Sequence, residues 1–242
     1  MPLRWIFFDA TNTLFGVRSS AGEQYAEAIF KLFQIQMPPS TINRHFEIYW
    51  KQFNKTKPNF GQSSGITAKE WWHQLVTHTL SDSGLKCQSK IDTAFERLWT
   101  QYRSSPSWSV YPDVEPTLIK LKEKQLPLGI ISNFDQRLHD LLPKLKLNHY
   151  FDKVITCVAA GHAKPDLGIF HYALRDLPDI PAHQCAYIGD SLEVDYYPAE
   201  KAGMISYLVQ RQSDPNLTPN ANNTLPTNVR TLKSLADILN YV

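Results

Sequence analysis

Apolar residues fall in two different rhythms along this chain. Residues 5–8, Trp-Ile-Phe-Phe, are apolar without alternation, which marks a strand buried on both faces, as in a parallel sheet covered by helices. From about 18 to 105 the apolar positions instead recur at helical spacing: Tyr25, Ile29, Leu32 and Phe33; Ile42, Phe46, Tyr49 and Phe53; Trp71 and Leu75; Ala94, Leu98 and Tyr102. Such spacing puts one apolar stripe on each of several amphipathic helices. Thr67 followed three residues later by Glu70 is a capping-box pattern opening the Trp71 helix, and Gly84 is its stop.

Beyond about Val110 strands and helices alternate. The pattern predicts strands over 126–132, 153–157, 185–189 and 205–209, with helices over 135–145, 166–177 and 193–202, the last ended by Gly203. Regular alternation of this kind implies an α/β fold, a doubly wound parallel sheet. The expected division is a core formed by 1–17 and 106–242, interrupted by an all-helical insert over 18–105. Residues 212–229, rich in Pro, Asn and Thr, read as a polar loop before a last helix near 231–240. Trp71, Trp72, Trp99 and Trp108 read mostly as packing residues.

Composition narrows the function classes. With 242 residues and 43% hydrophobic content, the chain can bury a full core without staples. Its net charge is +2, and Lys and Arg are scattered, so neither nucleic acid nor an anionic membrane is an expected partner. Cys87, Cys157 and Cys185 are widely spaced and suit buried thiols in a reducing compartment. The first apolar run stops at Asp9, too early for a signal peptide or a membrane span. A soluble, intracellular protein is expected, cytoplasmic with the nucleus open, and the sequence sets no oligomeric state.

In an open parallel sheet the ligand sits outside the carboxyl ends of the strands. Four predicted strand ends carry candidate chemistry: Asp9-Ala-Thr-Asn-Thr-Leu14; Ser132-Asn133; the loop holding Lys164-Pro-Asp166; and Gly189-Asp190-Ser-Leu-Glu-Val-Asp195. Two acidic loops facing one lysine and one hydroxyl suit a divalent cation plus an anion.

These four stretches, in this order, resemble the haloacid dehalogenase (HAD) superfamily over nearly the whole chain, with the insert placed as in members bearing a helical cap. Residues 131–135 (Ile-Ser-Asn-Phe-Asp) and 159–166 (Ala-Ala-Gly-His-Ala-Lys-Pro-Asp) carry a narrower match to one subgroup. The resemblance implies a Rossmann-like core, a Mg²⁺ cofactor and a small phosphorylated metabolite as substrate. It implies Asp9 as nucleophile and metal ligand, and the Thr11 carbonyl as a second ligand. Ser132 and Asn133 would be phosphate-binding, Lys164 the charge clamp, and Asp190 a metal ligand with Asp195 beside it.

Thr11 departs from the superfamily's phosphatases, which carry Asp there as acid and base. A threonine hydroxyl cannot serve as a carboxyl acid near neutrality, and losing a positioned acid/base costs roughly 10²- to 10⁴-fold. Three readings follow: a leaving group that needs no proton, a proton donor from elsewhere, or a site that binds more than it turns over. A metal-independent dehalogenase is a further alternative, against which stands the retained Gly189-Asp190 pair. Asn12 replaces a common Gly and tolerates positive φ. His162 reads as a surface or packing residue.

Overall fold

The computed structural model describes residues 2–211 and 226–242; 212–225, most of the expected polar loop, lies outside them. Chain order begins with β1 (Trp5–Phe8), β2 (Phe15–Val17) and helices α1 (Ala21–Phe33), α2 (Pro39–Thr56), α3 (Ala68–Asp82) and α4 (Gln88–Gln101). It continues with β3 (Trp108–Val110), α5 (Val114–Glu123), β4 (Leu128–Ser132), α6 (Arg137–Lys144), β5 (Lys153–Thr156), α7 (Cys157–Ala160) and α8 (Gly168–Leu174). Last come β6 (Cys185–Gly189), α9 (Tyr197–Lys201), β7 (Ile205–Val209) and β8 (Thr231–Leu232).

The chain forms two compact units, Met1–Gly16 with Val110–Val242, and Val17–Ser109. Its crossings between them run through β2 and β3, which pair as a two-stranded sheet. In the first unit six strands lie in the order β5-β4-β1-β6-β7-β8, each pair parallel. The unbroken apolar runs account for this: β4 and β6 are buried at every position, as strands covered on both faces must be. β1 sits in the middle, with β4 on one side and β6 on the other. Strand order reverses there, so the crevice outside its carboxyl end is the natural ligand position.

The second unit is helical. α1 and α3 each open with a reciprocal capping box, Ser20 with Glu23 and Thr67 with Glu70. The expected stripes, apart from Leu32, which is exposed, meet in one core containing Tyr25, Ile29, Ile42, Leu80, Ala94 and Leu98, while Phe53, Trp71 and Leu75 form a second cluster. No helix among the described residues is long and apolar enough to cross a membrane.

Several expectations need correction. β4 starts at Leu128 because Pro127 has no N–H to give to a ladder. α5 precedes the first strand expected in this half, with Val114, Leu118 and Leu121 buried at helical spacing. The expected helix near 231–240 is two things. Thr231 and Leu232 pair with Leu208 and Val209 as a sixth strand, and Leu235–Tyr241 is a 3₁₀ helix, whose three-residue turn puts Leu235 and Ile238 on one buried side. The helix expected over 193–202 begins with a π-helical turn, Leu192–Tyr196. Cys157 and Cys185 are buried thiols, but Cys87 is exposed, since it stands at the start of α4 among Lys86, Gln88 and Ser89.

Gly129 lets β4 lie against β1: a Cβ there would stand 2.6 Å from the Phe7 ring. Phe7 is fully buried and has nowhere to go. Gly129→Ala should therefore cost about 1–3 kcal/mol, read as a lower urea midpoint with an unchanged slope; an unchanged midpoint would mean that the ring yields freely.

Candidate active site

The four strand ends converge. Asp9 directly follows β1 and accepts no ladder role for its side chain, while its N–H donates to the Ile188 carbonyl of β6 at 2.8 Å. That bond pins the Asp9 backbone to the strand that delivers Asp190 and Asp195. Ser132 ends β4 and is buried. Asn133, next along, uses its amide on the loop opposite: Nδ2 donates to the Lys164 carbonyl at 2.8 Å and Oδ1 accepts from the Lys164 N–H at 2.7 Å. This two-point match fixes where Lys164 leaves the backbone, and one Nδ2 hydrogen stays available for another acceptor.

Lys164 is the hub. Its Nζ donates to Asp9 Oδ1 at 2.6 Å, to Asp195 Oδ1 at 2.6 Å and to the Tyr187 hydroxyl at 2.8 Å. All three ammonium hydrogens are thereby used. The side chain is 2% exposed. Burial pulls an ammonium towards neutrality, but the charges of Asp195 and Asp9 outweigh it and hold the Lys164 pKa above its ordinary value. Lys164 therefore stays protonated, which suits it to stabilise negative charge and unsuits it to act as a base.

Tyr187 was not anticipated as a site residue. It lies in fully buried β6, and its hydroxyl donates to Asp195 Oδ1 at 2.8 Å, with the Ile131 carbonyl a longer second acceptor at 3.2 Å. Burial first, then the Asp195 and Asp9 charges, push the phenol well above its ordinary pKa. The sequence held one signal: a tyrosine inside an otherwise apolar buried strand must find a partner for its O–H.

Asp195 comes off the π-helical turn and is brought against Gly189, where a Cβ would lie 2.4 Å from both Cβ and Cγ of Asp195. Its Oδ2 accepts from the Ser191 N–H at 3.1 Å. A glycine at the end of β6 is thus the condition for the second acidic loop to fold back over the strand.

Asp9, Asp190 and Asp195 each offer an oxygen within 4.8 Å of the others. One lysine cannot balance three carboxylates. Burial, followed in Asp9 by the opposing pull of Lys164 and the repulsion of Asp195, raises Asp9 to about 6. Burial, then the charges of Asp9 and Asp195, raises Asp190 to about 7. Hard carboxylate oxygens held this close, with an excess of negative charge, fit a divalent cation such as Mg²⁺. The Thr11 carbonyl is the further oxygen expected here. The Ala10, Leu14 and Phe15 carbonyls accept backbone hydrogen bonds, whereas among the described residues none ends on the Thr11 carbonyl. Thr11 itself is half-buried, bridged to Phe15 in a turn where Asn12 takes φ 61, the positive value its identity suggested. His162 is exposed, paired with Asp166 at 2.9 Å and packed over Gly168.

Asp9 and Asp190 keep protons in the folded chain that the unfolded chain releases near 3.8, so their contribution to stability is complete below about pH 4 and is lost as pH rises through about 6–7. Asp190→Asn stays neutral throughout. In chelator its melting temperature should match wild type near pH 4 and exceed it near pH 8; parallel curves would contradict the raised carboxyls.

A family model described as haloacid dehalogenase-like hydrolase matches residues 3–203. The chain is 35% identical over 218 residues to haloacid dehalogenase-like hydrolase domain-containing protein 3 of Xenopus laevis, covering 90% of this chain and 88% of that one. Among solved structures, HAD-hydrolase YfnB from Bacillus subtilis, described as bound to magnesium, superposes with TM-score 0.72 at 17% identity, over 99% of this chain and 98% of that one. A 2-haloacid dehalogenase from Pseudomonas syringae pv. tomato gives 0.65 at 22% identity, over 99% and 97%. These two likenesses establish the α/β fold, and the family match with the sequence relative goes further: the chain belongs to the haloacid dehalogenase-like hydrolases.

Proposed function

We propose that the protein is a Mg²⁺-dependent phosphohydrolase that works through a phospho-Asp9 intermediate, on small phosphorylated metabolites whose leaving group departs without a proton. The observation that carries this reading is the buried Lys164 ammonium joined to Asp9 and Asp195, with Asp190 close enough to share one cation. Asp9, the Thr11 carbonyl, Asp190 and Asp195 would hold Mg²⁺, which when bound supplies Lewis-acid charge to the phosphoryl group.

Ser132 and the remaining Asn133 hydrogen orient the phosphoryl oxygens, and Lys164 offsets their charge and that of the attacking carboxylate. An Asp9 oxygen attacks phosphorus; the bond to the leaving oxygen breaks and that oxygen takes the electron pair. Water then attacks the phosphorus of phospho-Asp9, phosphate leaves, the carboxylate is restored and the water proton passes to solvent. Thr11 contributes its main chain; its hydroxyl does not protonate the leaving group. Acyl phosphates, phosphoanhydrides and aryl phosphates have leaving groups stable enough as anions for this site, whereas simple alkyl phosphates do not.

Asp9→Asn should lose about 10³-fold or more in phosphate release; activity equal to wild type would remove Asp9 as nucleophile. Across substituted aryl phosphates the wild-type rate should fall steeply as the leaving-group pKa rises. Thr11→Asp should flatten that dependence and speed alkyl phosphates about 10²-fold; no gain would mean that a donor is already in place. Halide release from a 2-haloacid in chelator would replace this reading by carbon–halogen chemistry. A melting temperature raised by Mg²⁺ and beryllofluoride, with no turnover in a broad phosphometabolite panel, would make the protein a binding module.

A further inference from the structure

We infer that Arg211 is a positioning residue for the Asp9 loop, anchored in place by Asp113. Arg211 leaves the end of β7, and its side chain is only 6% exposed. Its Nη1 reaches both Asp113 oxygens, at 2.6 and 2.7 Å, and its Nη2 donates to the Thr13 carbonyl. The guanidinium carbon stands 4.2 Å from the centre of the Tyr111 ring. Asp113 is held in turn from a third direction: its Oδ2 accepts from the Ser234 hydroxyl at 2.8 Å and from the Leu235 N–H at 2.7 Å. Burial alone would raise the Asp113 carboxyl, but Arg211, Leu235 and Ser234 together draw it below its ordinary range.

The contact falls where the nucleophile loop most needs an anchor. The loop closes on itself through Leu14 N–H and Phe15 N–H, both donated to the Ala10 carbonyl, and through Asn12 N–H donated to Phe15. Its far end is tied to the core by Tyr111 N–H on the Leu14 carbonyl at 3.1 Å. Thr13 is fully buried, with its hydroxyl lacking a hydrogen-bond partner, so the loop is held there through the backbone and Arg211 supplies the donor. The Ala10, Thr13, Leu14 and Phe15 carbonyls all accept hydrogen bonds, whereas among the described residues none ends on the Thr11 or Asn12 carbonyl. A nucleophile displaced by about 1 Å costs about 10²-fold in rate, so a strap of this kind bears on turnover as well as on folding. The planar fork meets the carboxylate with one nitrogen and the carbonyl with the other; an ammonium in its place would be one compact charge on a flexible stem.

The kinetic arm of the test rests on the phosphohydrolase reading above, and the exchange arm does not. In full-length Arg211→Lys and Asp113→Asn, hydrogen exchange followed by mass spectrometry should show the 9–16 segment exchanging about tenfold faster or more, with β4 and β6 as in wild type. On 4-nitrophenyl phosphate kcat should fall about tenfold or more while KM stays within about twofold. Unchanged exchange of the loop in both variants, or faster exchange spread evenly over the unit, overturns the inference. Faster loop exchange with wild-type kcat overturns the positioning role. A wild type that releases no phosphate sinks the phosphohydrolase reading instead, and the exchange data still decide whether Arg211 holds the loop.

Discussion

The ammonium of Lys164, closed off from water between Asp9 and Asp195, is the constraint around which the catalytic unit is arranged. Desolvating an ion costs several kcal/mol after relaxation, and the cost is offset only when every hydrogen and lone pair finds a partner in good geometry. Here the three ammonium hydrogens go to two carboxylates and one phenol. Removing one member strands the others, which for a buried pair costs about 3–5 kcal/mol. The site is thus a stability problem solved by the same contacts that give it chemistry, and the surplus of negative charge that remains is what invites a cation.

Satisfying that constraint explains several local features that look unrelated. Gly189 has no side chain because Asp195 must fold back against it. The turn carrying Asp195 is π-helical, a wider coil that recurs at functional sites, with Ser191 accepting from the Val194 N–H to start it. Asn133 spends both ends of its amide on the Lys164 backbone. Each feature removes freedom from a side chain that has to meet another across the sheet, and such supporting contacts separate a formed site from a loose one.

Membership of the haloacid dehalogenase-like hydrolases sets the frame, and residue 11, two past Asp9, is a threonine. The acidic cluster and its lysine are complete, while position 11 carries a hydroxyl in place of a carboxyl. Fold likeness is shared between phosphorus and carbon–halogen chemistry, so the distinction has to be drawn from the site. Three carboxylates, each with an oxygen within 4.8 Å of the others, are the feature of this site on which the proposed metal-assisted route rests.

Asp9, Lys164, Asp190 and Asp195, which the structure brings together, could be picked out in the sequence because they lie at or after the ends of predicted strands, and in a parallel sheet strand ends meet. The boundaries of β1, β6 and β7 were equally legible, since full burial leaves a local compositional mark. The capping box at Thr67 was too, because its partners lie three residues apart. Tyr187, Arg211 and β8 were not. Lys164 and Asp9 are 155 positions apart, and Arg211 and Thr13 are 198 apart; the second pair carries no periodic or compositional trace. Thr231 and Leu232 become a strand only because β7 offers an open edge. Periodicity records which face of an element avoids water, a property of neighbouring residues; which polar atoms meet inside depends on how the elements stack, and only the tertiary structure decides that.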